Sequence, residues 1–418
     1  MTKKGHNTDN LHSERADKPE HGVRHKPVHT SVAYGYDKAK HLAEVFQGKR
    51  QGYNYGRQLN PTVTALQKRI TKMEAGLSSV GFSTGMAAIS STMLALLKTG
   101  DHVISSSFLF GNTNSFFETL KRLGIEVSFV DATQAKFVEE AVRENTKIVF
   151  TETIANPVTQ VADLVGIGQV CKDNNLVYIV DNTMTSPFSF KPKTVGASLI
   201  INSLTKYIGG HGNALGGMVT DTGIHNWKTF DNIIETYRSE KPELWGITQI
   251  KKKGLRDMGS SLGPEAAHHL AVGSETLSMR MERASSNALQ LVKFCSEHEN
   301  VGATYYPGLP VHPQHTRARK LFKNFGAIFS IDLVDGIDCF EVLDKMEIII
   351  SSSNLGDTRT LAIPVAHTIF YEMGSDRRKS MGISDSMIRF SVGIDCLLYT
   401  SDAADDMQCV DLGGRRII

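Results

Sequence analysis

The sequence predicts an α/β fold, and two patterns predict it. Short apolar runs recur after Gly76, at 102–106, 125–130, 148–153, 176–180 and 198–202, with helix-patterned stretches between them. Such runs read as strands buried on both faces, and their alternation with helices implies a largely parallel sheet covered by helices. The second observation is a change of pattern beyond a polar connection at 221–253. A long helical stretch at 264–297 carries Leu270, Leu277, Met281 and Leu289 on one side, and strands follow at 327–333, 347–351 and 388–392. This predicts a smaller α+β unit at the C-terminal end.

Taken in order, residues 1–60 form an N-terminal arm. It is polar and unpatterned at first, extended over 28–36 and helical over 38–46. His6, His12, His21, His25 and His29 are irregularly spaced and lack Cys or acidic partners, so no metal site is expected. Asn60-Pro61-Thr62 starts a helix with Val63, Leu66, Ile70 and Met73 at helical spacing. It opens a large unit at 61–253, in which Ser83-Thr84-Gly85-Met86 starts a further helix. The smaller unit occupies 254–395.

The chain has 418 residues, 40% apolar and 22% charged, enough to bury a large core. A formal charge of +2 gives no reason to expect nucleic acid as a partner. No apolar run is long enough to span a membrane and the N-terminus has no signal-peptide core, so a cytoplasmic location is expected. Cys171, Cys295 and Cys339 are too widely spaced for a disulfide framework or a CxxC site. Residues 396–418 resemble a translated sequencing-library adapter, with a transposase end at 396–405 and a flow-cell primer end at 410–418. They are read as a non-native scar and left out of the fold. Without its four Asp and two Arg the formal charge is +4.

Ligands on such sheets bind beyond the carboxyl ends of the strands, and the residues there carry the chemistry. Lys206 follows the run at 198–202, flanked by Ser203 and Thr205 and followed by a glycine-rich stretch. Keeping it charged in so confined a place is costly, so its pKa should fall and its amine become nucleophilic. The same stretch also fits a strand, an exposed Lys and a turn. Gly85 and Met86 at a helix start offer backbone N–H groups to a phosphate, although Ser83-Thr84-Gly85 also fits an N-cap. Asp181 fits a carboxylate for a pyridinium nitrogen, or another N-cap. Phe110 fits a stacking face or a core side chain. Arg389, inside an apolar strand, fits a clamp for an amino-acid carboxylate or a structural salt bridge. Together these residues point to pyridoxal-phosphate chemistry on an amino acid.

The ordered motifs are Tyr55-Gly56-Arg57 with Asn60-Pro61-Thr62, Ser83-Thr84-Gly85-Met86, Glu152-Thr153-Ile154-Ala155-Asn156-Pro157, Val180-Asp181-Asn182-Thr183, Ser203-Leu204-Thr205-Lys206 with Tyr207 to His211, and Arg389-Phe390-Ser391-Val392-Gly393. Over roughly residues 11–395 the sequence resembles the trans-sulfuration enzymes of cysteine and methionine metabolism, in the fold-type I aminotransferase superfamily. The resemblance implies a large, mainly parallel sheet of the seven-stranded type binding pyridoxal 5'-phosphate, plus the smaller C-terminal domain. It implies Lys206 as the Schiff-base lysine, Asp181 as the pyridinium partner and Asn156 beside the cofactor's phenolic oxygen. Gly85, Met86, Ser203 and Thr205 would hold the phosphate, and Arg389, with Asn354, the substrate. Tyr55 and Arg57 would reach the phosphate of an adjacent subunit, so the resemblance also implies a homodimer, usually paired into a tetramer. Phe110 stands at the stacking position beside the reacting atoms, where the family normally has Tyr. Stacking survives there, but a phenolic acid/base does not.

Within the family, His211-Gly212-Asn213 replaces the His-Ser-Asp of cystathionine synthases and lyases and resembles O-acetylhomoserine sulfhydrylases. Asn354-Leu355-Gly356-Asp357 leans the same way. Asn112 stands where methionine γ-lyases place a reactive Cys, and Pro364-Val365-Ala366-His367-Thr368-Ile369 lacks a Ser and a His that the family carries near the substrate. The resemblance therefore implies γ-replacement on an O-acyl-homoserine by sulfide or a thiol. Cystathionine synthesis, γ-lyase cleavage of cystathionine or methionine, and cofactor binding without catalysis are the alternatives. A nicotinamide-dependent oxidoreductase is disfavoured because no GxGxxG lies between strand and helix. The family continues after Asp395 into a final amphipathic helix, whose loss would expose an apolar groove on the small domain.

Overall fold

Alternate residues of the central strands enter two different apolar layers. In Val177–Asp181, Val177 and Ile179 pack with one layer while Tyr178 and Val180 pack with the other. This is the period-two signature of a strand covered on both faces. The computed structural model describes residues 5–12, 20–23 and 25–395; the adapter-like stretch 396–418 lies outside them.

Seven strands form the main sheet: β1 (Ser78–Phe82), β2 (His102–Ser106), β3 (Glu126–Val130), β4 (Thr146–Glu152), β5 (Val177–Asp181), β6 (Leu199–Ser203) and β7 (Gly217–Asp221). Their order is β1-β7-β6-β5-β4-β2-β3. Pairings from β3 through β6 are parallel, whereas β7 runs antiparallel to both β6 and β1. Helix Gly85–Leu96 covers one face through Ala88, Ile89, Met93 and Leu96. Helices Pro61–Met73 and Leu164–Asp173 cover the other. Asn60 caps the former, its Oδ1 accepting from the Thr62 and Val63 amides, with Pro61 at the first helical position.

A second sheet follows, of β8 (Val301–Tyr305), β9 (Ile328–Leu333), β10 (Ile350–Ser351), β11 (Leu361–Pro364) and β12 (Ile388–Ser391), in the order β10-β11-β12-β9-β8. It is antiparallel apart from the β10–β11 pair. One apolar layer is continuous from β4–β6 into β9 and β12, so the two sheets share a core. The segment Ile250–Asp257, which spans residue 253, is a wide π-type turn of helix that packs on Gly85–Leu96.

Two stretches differ from the sequence pattern. The helix expected over 264–297 is two helices, Pro264–Ser274 and Leu277–Ser296. Side chains claim the last carbonyls of the first: Arg69 bonds Ala271 O and Asn10 bonds Ser274 O from the N-terminal part of the chain, and Arg280 of the following helix bonds Gly273 O. The chain turns at Glu275-Thr276, where the backbone bonds tighten to Glu275 N–Val272 O and Thr276 N–Gly273 O, before the helical pattern resumes. The strand expected over 347–351 shrinks to Ile350–Ser351, where pairing to β11 begins. Strands β1, β7, β8 and β11 were not anticipated.

Candidate active site

Strands β4, β5 and β6 end side by side, and the loops of the second sheet close over them. Between lies a cavity of about 510 Å³, within the usual range for a small-molecule site. Glu152, Asn156, Asp181, Ser203, Thr205 and Lys206 line it from the main sheet, Gly85, Met86 and Phe110 from the two helix starts beside it, and Asn354, Ile369 and Arg389 from the second sheet and its loops.

Lys206 lies just past β6, and its Nζ donates to Asn354 Oδ1 at 2.7 Å. Burial lowers its pKa to about 8, with the nearby Arg389 charge adding to the effect. The amine therefore loses its proton far more readily than an exposed lysine.

Asp181 ends β5, and its Oδ1 accepts from the Thr183 amide at 2.9 Å. Directly across on β4 stands Glu152, whose Oε1 accepts from the Phe110 amide at 2.8 Å. Burial, reinforced by Asp181, pushes Glu152 up to about 8, and burial pushes Asp181 up to about 6. Two neighbouring buried carboxyls cannot both ionise cheaply, so burial and their mutual repulsion favour a pair that retains a proton.

One end of the cavity is a backbone cradle suited to an anion. Thr84 Oγ1 accepts from the Ala87 amide at 2.9 Å, leaving the Gly85 and Met86 amides at the start of this 12-residue helix for a ligand. Residue 85 must be small, since a Cβ there would lie 2.8 Å from the Ser203 Cβ. Thr205 Oγ1 is tied to the Gly216 backbone, accepting from its amide at 3.0 Å.

The donor set fits pyridoxal phosphate. Asn156 is 3% exposed, yet its Oδ1 has no partner; an orphaned acceptor of this kind at a cavity wall asks for a ligand. Arg389, on the wall formed by the second sheet, shows the same deficit: it is 1% exposed and its Nε has no partner. A buried carboxylate, a lysine with lowered pKa and an anion cradle complete the complement.

Ten of the residues singled out from sequence thus meet at one cavity: Phe110, Gly85, Met86, Asn156, Asp181, Ser203, Thr205, Lys206, Asn354 and Arg389. Tyr55 and Arg57 do not line it. Both are exposed, with the Arg57 guanidinium 5.5 Å from the Tyr55 ring centre. Glu152 was missed as a site residue although its motif was noted; its position opposite Asp181 across a parallel pair was the available signal.

The chain is similar to known proteins over nearly its whole length. The family model for Cys/Met metabolism PLP-dependent enzymes matches residues 7–408. An L-methionine gamma-lyase of Fusobacterium nucleatum subsp. polymorphum is 36% identical over 90% of this chain and 91% of its own. An O-acetyl-L-homoserine sulfhydrylase of Thermus thermophilus is 34% identical over 92% of this chain and 95% of its own. Among solved structures, a putative O-acetylhomoserine (thiol)-lyase from Campylobacter jejuni, containing a pyridoxyl-lysine phosphate, superposes with a TM-score of 0.89 at 29% identity, covering 94% of this chain and 97% of the other. The chain belongs to the Cys/Met metabolism family of PLP-dependent enzymes.

Proposed function

We propose that the protein replaces the acyloxy group of an O-acyl-homoserine with sulfide or a thiol. In this reaction the γ-carbon–oxygen bond breaks with its electron pair leaving on the acyl carboxylate. A carbon–sulfur bond forms in its place, and the thiol proton is released.

One contact carries the choice within the family. Gly212 has φ +62°, and a Cβ there would lie 2.4 Å from Asp357 Oδ2. The two sulfhydrylase-like stretches, His211-Gly212-Asn213 and Asn354 to Asp357, therefore touch. Each constrains the other, since a serine at 212 would meet the Asp357 carboxylate, on the loop that holds Asn354 beside Lys206.

Bound in the cavity, pyridoxal phosphate supplies an electron sink that acidifies the protons on the α- and β-carbons of the amino acid. Lys206, Asp181, Asn156, Gly85, Met86, Ser203 and Thr205 would hold it. The Lys206 amine carries the protons at Nζ, and Asn354 Oδ1 orients it. Arg389 takes the substrate carboxylate with its unpaired donors. Phe110 and Ile369 wall the cavity with apolar surface and exchange no proton, which leaves proton transfer at the reacting carbons to Lys206. The exposure of Tyr55 and Arg57, away from their own chain's cavity, supports a homodimer in which they serve the partner's phosphate. No helix among the described residues is long and apolar enough to cross a membrane, in keeping with a cytoplasmic enzyme.

The test is a product screen with O-acetyl- and O-succinyl-homoserine, each against sulfide, methanethiol and cysteine. Homocysteine or methionine with release of the free acid is the expected outcome. Release of α-keto acid and ammonia without a new thioether or thiol would favour the second reading, γ-elimination, which the 36% identity to a methionine gamma-lyase supports.

A further inference from the structure

Behind the cavity wall lies a buried polar network that the reaction does not use. Glu74, just past helix Pro61–Met73, is fully buried. Its Oε1 accepts two amide donors, Asn182 Nδ2 at 2.9 Å and Asn202 Nδ2 at 2.7 Å. Asn182 follows Asp181, and Asn202 precedes Ser203. The Asn182 Oδ1 accepts from Thr185 Oγ1, which is 3.0 Å from Thr153 Oγ1, the neighbour of Glu152. One carboxyl oxygen thus ties together the ends of β5 and β6, and a relay of two hydroxyls reaches β4.

The side chains of Asp181 and Ser203 point to the cavity, while their chain neighbours are held from behind by Glu74. Burial of two amide groups is tolerated only where each finds an acceptor. Without Glu74 the Asn202 amide has no acceptor in the structure, and the Asn182 amide keeps only the Phe190 carbonyl at 3.2 Å. A shift of a few tenths of an ångström at either strand end moves a cofactor-facing group.

We propose that Glu74 is a positioning residue for the cofactor site, fixing the spacing between the Asp181 and Ser203 ends through the paired amides of Asn182 and Asn202. The proposal rests on the assignment of Asp181 and Ser203 to pyridoxal phosphate.

The test compares Glu74→Ala, Glu74→Gln and a core control, Leu343→Ala, in the full chain. The readouts are the dissociation constant of pyridoxal phosphate, the visible circular dichroism of the bound cofactor and the melting temperature. Glu74→Ala should weaken cofactor binding at least ~10-fold and alter the dichroism, as two buried amides lose their shared acceptor. Glu74→Gln retains a carbonyl oxygen and should stay within ~3-fold of the wild type. Leu343→Ala should lower the melting temperature and leave cofactor affinity and dichroism unchanged. If Glu74→Ala does not fold, Asn202→Ala removes one arm of the network and should weaken binding ~3-fold with the same dichroic change. Cofactor affinity and dichroism that follow the Leu343→Ala pattern in the Glu74→Ala or Asn202→Ala protein would overturn the proposal, as would Glu74→Gln binding as poorly as Glu74→Ala. Wild-type protein that binds no pyridoxal phosphate would overturn the site assignment itself.

Discussion

Two buried arginines mark two regions of the molecule, and the contrast between them separates scaffold from site. Arg280, on helix Leu277–Ser296 behind the glycine-rich stretch, uses every nitrogen. Its Nη1 donates to Tyr207 O at 2.6 Å, its Nη2 to Gly273 O at 2.7 Å and Ile208 O at 3.2 Å, and its Nε to Thr276 Oγ1 at 3.0 Å. Arg389, on β12 at the cavity wall, donates through Nη2 to Asn354 O at 2.9 Å and Ser353 O at 3.2 Å, and its Nε has no partner. Burial lowers both to about 10, which leaves both charged at neutral pH. A saturated guanidinium brackets backbone; one with spare donors facing a cavity binds an anion.

The largest expected effect comes from exchanging each arginine for methionine. Arg280→Met leaves three carbonyls without their donor and should destabilise the fold by about 3 kcal/mol, seen in denaturant unfolding, with KM for the amino acid little changed. Arg389→Met should raise that KM about 10–100-fold, the worth of hydrogen bonds to a charged group. Its melting temperature should fall less than that of Arg280→Met, because only the Ser353 and Asn354 carbonyls lose a donor. If the two variants exchanged these patterns, the distinction between bracket and clamp would be wrong.

A smaller effect is expected where the regions meet. Asp357 is the acidic group whose charge acts on Arg280, and it belongs to the loop whose carbonyls hold Arg389. Gly212→Ser forces a left-handed backbone on a side chain that also meets Asp357. The cost should be about 1–2 kcal/mol from the backbone alone, accompanied by a rise in KM, since the displaced loop serves both arginines. A loss of stability with KM unmoved would show that the loop does not couple them.

The smallest effect is in the pH dependence of the cofactor-free protein. The folded pKa of Lys206, about 8, lies below the ordinary lysine value of 10.5. Between those values the unfolded chain binds more protons, so stability should rise with pH from about 8 to 10.5. Below about 8 the folded state carries the full cost of the buried charge. Lys206→Met should flatten that slope. Because Arg389 is only the second cause of the shift, Arg389→Met should move its onset upward by less than about one pH unit, and Arg280→Met should leave the onset in place.

The strands that carry the site were legible because parallel strands buried on both faces are apolar runs, and the residues just past 148–153, 176–180 and 198–202 are where ligands bind. Lys206, Asp181 and Asn156 could be found that way. Strands β1 and β7 were not legible, since Ser78-Ser79-Val80-Gly81 and Gly217-Met218 mix glycine and hydroxyl residues that read as loop. Glu74 and Glu152 escaped for a different reason. A buried carboxyl is indistinguishable in sequence from a solvated one until its partners are known, and Asn182 and Asn202 lie far from Glu74 along the chain. The break at Glu275-Thr276 was hidden in the same way, because Asn10 and Arg69 reach the end of the helix from other parts of the fold.

The central claim is that the cavity at the strand ends anchors pyridoxal phosphate through Lys206. Borohydride reduction of the cofactor-loaded protein, followed by peptide mapping, tests it most directly. The account predicts a phosphopyridoxyl group on the peptide containing Lys206 and loss of the visible absorbance in Lys206→Ala. Labelling of a different lysine, or an undiminished visible band in Lys206→Ala, would contradict it.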